Sequence, residues 1–288
     1  MSTPANKTGV IPNMPNDWAM DIGIDNPAGG IYSSSSDLSA YARNILNSDA
    51  LPSNKRLLEP EVVNRWLKPT SLIPSLHNAQ GAPWEIIRLQ GADFNPDGRP
   101  IDLYTKNGGL NGYYSALAFI PEYDVAVTVL TAGPYESFVA LQDLVLPSAV
   151  KALETIFRNH AKTLAGTYTA KGSLNSTMHL EADDGAGLKI TKFWSNSTDM
   201  YPLIDSAYGG GPGSSVLRAS PAGVKKSGGD SWVIKLAAAT PPKGGYIQRT
   251  FCISDAGGPM YNGERVLEIV KKEKSWVLPA FGVELFKE

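Results

Sequence analysis

Residues 101–131 read IDLYTKNGGLNGYYSALAFIPEYDVAVTVLT, and the fold turns on this stretch. Ile101, Leu103 and Thr105 alternate with Asp102, Tyr104 and Lys106, the two-residue period of a β-strand. Asn107-Gly108-Gly109 breaks the alternation and reads as a turn, as Asn-Gly commonly does. Residues 113–120 and 124–130 are rich in β-branched and aromatic side chains, and Pro121-Glu122-Tyr123 between them marks a hairpin turn. A lysine at a strand end followed by small residues can present an ammonium and a bare peptide N–H together to a bound group. The bland alternative is a solvated lysine ahead of an ordinary turn. Tyr113 and Tyr114 alternate faces, so one of them belongs to the core whichever meets a ligand.

Working outward, residues 84–89 form another strand, and 92–99, with Asn95-Pro96-Asp97-Gly98, a turn. Residues 1–27 are rich in Pro and Asn without periodicity and read as an extended loop. Leu38, Tyr41, Ala42, Ile45 and Leu46 share one face of a helix starting near Ser36 or Asp37, either of which can cap it. Residues 59–67 are a second short helix with Pro60 in its first turn, where the missing N–H costs little. Residues 68–83 read as a loop, and 136–163 as a long amphipathic helix interrupted or entered at Pro147.

Beyond Leu164 the texture changes. Short β-like runs at 166–170, 177–181, 187–194, 215–219, 231–238, 248–254, 266–270 and 276–286 are separated by Gly, Pro, Ser and Asp, the pattern of an all-β barrel or sandwich. This sets two domains, 1–163 and 164–288. The glycine run at 209–213 opens no helix and carries no Lys-Ser/Thr, so it reads as a solvent loop and not as a phosphate loop.

Composition excludes several function classes. The 288 residues carry a net charge of −2, which gives no electrostatic case for nucleic acid or an anionic membrane as partner. A single cysteine, Cys252, excludes an internal disulfide and a multi-cysteine zinc site, and its apolar surroundings mark a buried thiol. His77, His160 and His179 have no ligand spacing, so neither a metal nor another cofactor is expected. No apolar run reaches the length of a membrane span, and the first ten residues hold no apolar signal core. Localisation stays open; the sequons at Asn6, Asn175 and Asn196 would matter in a secreted chain.

YTKNGGLNGYYS (104–115), with GGIYSSSSDLSAYARNIL (29–46) upstream and FIPEYDVAVTVLTAG (119–133) downstream, resembles the serine β-lactamase and penicillin-binding-protein superfamily. The likeness is to its class C-like branch, which includes esterases and transesterases, and within it to fungal β-lactamase-like proteins with an extra C-terminal β-domain. It covers residues 9–163 at motif level. The resemblance implies an α+β fold: part of a β-lactamase/transpeptidase-like antiparallel sheet with flanking helices, followed by the β-domain. It also implies acyl transfer through a serine ester. In that family a Ser-x-x-Lys pair supplies nucleophile and base, a Tyr-x-Asn or Ser-x-Asn loop a second proton-transfer group, and a Lys-Thr-Gly-type triplet orients the substrate. Lys106-Asn107-Gly108 matches the triplet, with Asn where Thr is common. The resemblance then makes Lys106 and Gly109 catalytic, the Gly109 N–H serving as an oxyanion donor worth about 3–4 kcal/mol in a comparable hole. Asn107, Gly108, Tyr113 and Tyr114 would contact a small-molecule substrate.

Two of the three motifs are missing. No Tyr-x-Asn occurs, and the single Ser-x-x-Lys match, Ser148-Ala149-Val150-Lys151, lies in the long helix expected to cover the sheet's back. The nucleophile is therefore expected outside these residues, and the isolated chain is expected to be inactive as a hydrolase. Apolar faces left uncovered by an absent N-terminal half would be met by a complementary chain or by self-association. The alternative is a repurposed fold that binds a small molecule or steers an isomerisation or cyclisation without an acyl-enzyme, or a non-catalytic scaffold.

Overall fold

A computed structural model describes residues 21–47, 51–110, 112–207, 211–226, 228–238 and 259–288. The residues 1–20, 209–210, the β-like run 248–254 with Cys252, and the Asn6 sequon lie outside the described residues. The chain divides into two compact units, Met1–Thr155 and Ile156–Glu288.

The first unit opens with a 3-10 turn at Gly23–Asp25 and a single helical turn, α1 (Asn26–Gly29), where an extended loop is expected from the sequence. Helix α2 (Ser35–Leu46) is capped by Ser34, two to three residues earlier than expected: its hydroxyl oxygen accepts from the Asp37 N–H at 3.1 Å, and the hydroxyl itself donates to the Asp37 carboxylate at 2.8 Å. The hydroxyl thereby satisfies one of the helix's orphan amides and is itself held in place by the Asp37 carboxylate. Helix α3 (Pro60–Trp66) starts on its proline. Five antiparallel strands follow in spatial as well as sequence order: β1 (Asn78–Gln80), β2 (Glu85–Leu89), β3 (Ile101–Leu110), β4 (Tyr113–Ile120) and β5 (Val125–Ala132). β1 falls in the segment expected to be loop. It buries only Ala79 and exists because β2 offers a pairing partner, not because of any hydrophobic alternation. The β4–β5 turn is a 3-10 turn at Pro121–Tyr123 that closes on Asp124 in the left-handed region.

Strand parity sorts the core onto two faces. Ile86, Tyr104 and Phe119 lie with Trp84 against Ala42 and Ile45 of α2 and Val63 of α3. Ile101, Leu103, Ala118 and Ile120 lie against Leu146 and Val150 of α4 (Tyr135–Leu164). Pro147 neither starts nor interrupts that helix, contrary to expectation. A mid-helix proline forfeits a backbone hydrogen bond and crowds the preceding turn. Burial of Leu146 and Val150 on either side holds both halves against the sheet.

The second unit is a closed barrel. Its strands are β6 (Gly166–Ala170), β7 (Thr177–Glu181), β8 (Leu188–Ser195), the two-residue β9 (Thr198–Asp199), β10 (Ser215–Lys226), β11 (Gly229–Ala238), the small ribbon β12 (Met260–Tyr261) and β13 (Glu264–Arg265), β14 (Glu268–Lys271), β15 (Ser275–Leu278) and β16 (Val283–Lys287). The antiparallel order β10-β11-β14-β15-β16-β6-β7-β8 closes on itself where Leu217, Arg218 and Ala219 of β10 pair with Ile190, Lys189 and Leu188 of β8. Eight strands give an interior that side chains fill, here Met178, Leu180, Leu188, Ile190, Phe193, Leu217, Ile234, Ile269, Trp276 and Leu285. Of barrel or sandwich, the barrel is what forms. The run 276–286 proves to be two strands around Pro279–Phe281, with Gly282 left-handed at the turn. Helix α5 (Met200–Ala207) was not anticipated from the sequence. Among the described residues, no helix is long and apolar enough to cross a membrane.

Candidate functional site

Strand β3 sits between two neighbours, but only for half its length. β2 begins at Glu85, opposite Thr105, so among the described residues Lys106–Leu110 pair on one side only, with β4. Register shows which peptide groups are left over. The Gly81 N–H bonds the Trp84 carbonyl and the Arg88 N–H the His77 carbonyl, both at 2.8 Å, so residues 84, 86 and 88 turn their backbone groups toward β1. Residues 85, 87 and 89 therefore turn toward β3, where they meet Thr105, Leu103 and Ile101. On the other side, the Gly133 N–H bonds the Gly112 carbonyl at 2.8 Å, so 112, 114 and 116 turn toward β5. Residues 113, 115 and 117 then face Leu110, Gly108 and Lys106. The N–H and C=O of Asn107 and Gly109 are left directed off the open edge.

This corrects the expectation that Asn107-Gly108-Gly109 breaks the strand. β3 continues to Leu110 because β4 supplies partners, and the turn comes later, where Gly112 has φ +80°. Both glycines lie close to their cross-strand neighbours, which would have to shift to admit a side chain. A Cβ on Gly108 would sit 2.7 Å from Ser115 Oγ, and one on Gly109 would sit 2.8 Å from the Tyr114 ring.

The side chains divide around this edge. Lys106 Nζ lies 2.5 Å from Glu85 Oε1 and 3.4 Å from the Asn107 carbonyl oxygen, so the ammonium sits at the open edge itself. Both partners of the pair are nearly half exposed (46% and 45%), which limits its contribution to at most about 1 kcal/mol. The Gln142 side-chain amide of α4 donates to Asn107 Oδ1 at 3.3 Å, placing the Asn107 side chain on the α4 side of the sheet. Tyr114 is on that side too, its ring centroid 5.8 Å from Phe138 and 5.2 Å from Tyr135. Tyr113 shares the opposite face with Ser115, Leu117 and Phe119. The structure thus gathers Lys106, the Gly109 peptide and the Asn107 carbonyl at one edge, with Tyr113 on one face and Tyr114 packed on the other.

Ser148 and Lys151 stay on α4, flanking the fully buried Val150. Lys151 lies over the Phe94 ring at 5.3 Å, so this pair belongs to the sheet's back. Sequence reasoning missed Glu85, Ser115 and Gln142. Glu85 stands 21 residues before Lys106, Ser115 lies across a hairpin, and Gln142 is on another element; only register joins them. Among the described residues, no group of three or more His, Cys, Asp or Glu side chains could hold a metal ion.

Comparison with known proteins identifies the family. Residues 1–149 match the family described as Beta-lactamase, and residues 158–287 match one described as Beta-lactamase-like-like, C-terminal domain. The chain is 32% identical over 236 residues to "Beta-lactamase-like protein" of Arthroderma benhamiae, covering 76% of this chain and 38% of that protein. It is 27% identical over 287 residues to "Probable hydrolase clz13" of Cochliobolus lunatus, covering 93% of this chain and 44% of that one. It is 26% identical over 287 residues to "Probable hydrolase M10" of a Phoma species, covering 93% and 45%. The chain therefore spans about two fifths of the length of these relatives.

Proposed function

The chain belongs to the β-lactamase family, and from that premise we propose that the open edge of β3 is one wall of an acyl-transfer site for a small ester or amide. The observation that carries this is the direction of the Gly109 N–H, off the edge and beside the Lys106 ammonium. A peptide N–H in that position can donate to the oxyanion of a tetrahedral intermediate, and a fixed donor of this kind is worth about 3–4 kcal/mol. Lys106 supplies positive charge to an acidic group of the substrate or to the proton network, and Asn107 and Gly108 hold the strand in register. Tyr113, on the face away from α4, borders the substrate; Tyr114 supports it from behind by packing against Gly109. Two of the fungal relatives are named as probable hydrolases, which favours hydrolysis as the outcome.

In this reading the attacking serine comes from outside these 288 residues. Apolar exposure supports a missing partner: Ile31, Leu72 and Leu76 of the first unit are each about three-quarters exposed. β5 pairs only with β4 among the described residues, leaving the uncharged run VAVTVLTA on an edge. The partner is either a complementary N-terminal segment or a second copy of the chain.

The test is reaction with a fluorophosphonate and with a β-lactam. The chain alone should stay unlabelled, and adding, as a separate chain, the part of a longer relative that these residues do not match should produce a labelled serine in that part. A labelled serine within this chain would overturn the location of the nucleophile. A second reading, a repurposed binding protein, draws on the Lys106–Glu85 pair, which already neutralises the ammonium. It predicts no labelling in either arrangement, with ligand binding that is lost in Lys106→Ala.

A further inference from the structure

The barrel has its own cavity, separate in sequence from everything assigned above. It measures about 440 Å³ and lies among β8–β9, helix α5, the β12–β13 ribbon and the Pro279–Phe281 turn. That volume is within the range of sites for small organic ligands, and barrel mouths are a common place for them. Its floor is Met200, Ile204 and Val266, all buried, with the half-buried Phe281. Its rim is Leu203, Met260 and Tyr261, each more than half exposed. Large apolar side chains held at a rim in water mark a surface that is covered when in use. Methionines on both floor and rim allow the wall to adapt to an irregular apolar guest.

Two further observations give the guest a chemistry. None of the described lining residues is charged: the polar members are Ser195, Asn196, Thr198 and Asn262. A charged ligand group would lose its hydration with no counter-charge to meet it. Ser195 is only 4% exposed, and its hydroxyl oxygen is closed off from solvent, so the wall there offers a guest no reachable hydrogen-bonding group.

We propose that the barrel mouth binds a small, uncharged, mainly apolar molecule, such as an aliphatic alcohol, ester or halide, held by burial of its chain against Met200, Ile204 and Val266 and covered by the apolar rim. The assignment is independent of the acyl-transfer reading, since no residue of β3 takes part. The test uses the whole chain and the uncharged fluorophore N-phenyl-1-naphthylamine, displaced by octan-1-ol, 1-chlorooctane, octanoate or octylammonium. Saturable binding is expected in the wild type, with the two uncharged competitors at least tenfold stronger than the two ions. Leu203→Glu and Met260→Glu, at exposed rim positions, should each weaken binding about tenfold while circular dichroism and unfolding midpoint stay unchanged. Octan-1-ol and 1-chlorooctane should displace the fluorophore within about threefold of each other, since burial of the shared alkyl chain is what holds both. Absence of saturable binding in the folded wild type overturns the proposal. So does binding indifferent to both rim substitutions, or equal displacement by charged and uncharged competitors.

Discussion

At the scale of single residues, neighbouring glycines in β3 have opposite backbone roles. The Gly108 N–H lies on the side that pairs with β4, whereas the Gly109 N–H leaves the sheet. Proline removes a donor and is tolerated in strands only where that donor is not in a ladder. Gly108→Pro should therefore cost at least about 1 kcal/mol more than Gly109→Pro in urea unfolding, after Gly108→Ala and Gly109→Ala correct each for the added Cβ beside Ser115 and the Tyr114 ring. Equal losses would mean that the register deduced for the open edge is wrong. A firmer glycine requirement lies in the barrel. Gly187 has φ +68°, and a Cβ there would overlap the Ala219 carbonyl oxygen, so even alanine is excluded by both backbone angle and space.

At the scale of elements, stability rests on how helices and turns are pinned. Ser34→Ala removes the cap of α2 and should lower the stability of the first unit by about 1 kcal/mol in chemical denaturation, while Ser36→Ala, one position inside the helix, should change little. A larger effect is expected at Arg99. Its guanidinium meets Asp97 at 3.2 Å, Glu154 at 3.2 Å and Glu122, joining the 92–99 turn, the β4–β5 turn and α4. Burial works against its charge, but Glu122 and Glu154 more than compensate and hold it protonated. Glu154 is only 3% exposed and also accepts from the Tyr123 hydroxyl at 2.5 Å. Arg99→Ala strands that carboxylate, and a loss of about 3–5 kcal/mol is the usual consequence of breaking a buried pair from one side. Adding Glu154→Leu should recover much of it, because a stranded charge costs more than an absent pair. No recovery in the double variant would show that the loss comes from packing of the arginine stem.

At the scale of the molecule, acid should act on the barrel through three carboxylates. The Arg218 guanidinium holds Asp183 below the usual carboxylate range. Burial pushes Asp205 up, but the Ser215 hydroxyl and the Gly213 and Ser214 amides more than reverse that and leave it low. The Ser275 hydroxyl lowers Glu284. Each group binds its proton less readily in the folded state than in the unfolded chain, so below about pH 4 unfolding takes up protons and stability rises with pH. The contribution is complete above the ordinary carboxylate range and is lost as pH falls through the lower folded values. Denaturant unfolding followed by tryptophan fluorescence should show the chain less stable at pH 2.5 than at pH 7, and Asp183→Asn/Asp205→Asn/Glu284→Gln should narrow the gap. A gap of the same size in that variant would remove these three groups from the account.

The sequence by itself determined that a helix-and-strand part precedes a β-rich part, and it carried the family likeness. Alternation in 101–105 and the β-branched and aromatic content of 113–120 called for strands, the spaced short runs after Leu164 for a β-rich unit, and Lys106-Asn107-Gly108 with its flanking stretches carried the family likeness. These signals are local, written in side-chain periods and turn residues. Tertiary structure alone decided that Asn107-Gly108-Gly109 is strand and not turn, since Tyr114, Ser115 and Ala116 had to be laid opposite before those residues had partners. It also decided where β2 begins, and hence which peptide groups reach the open edge. It brought Glu85 to Lys106 and Gln142 to Asn107, and it closed the barrel by pairing β8 with β10. The physical reason is common to all of these. A strand's own sequence sets which face its side chains take, but the direction in which its amides are used depends on a neighbour whose register is fixed by hydrogen bonds between residues distant in the chain.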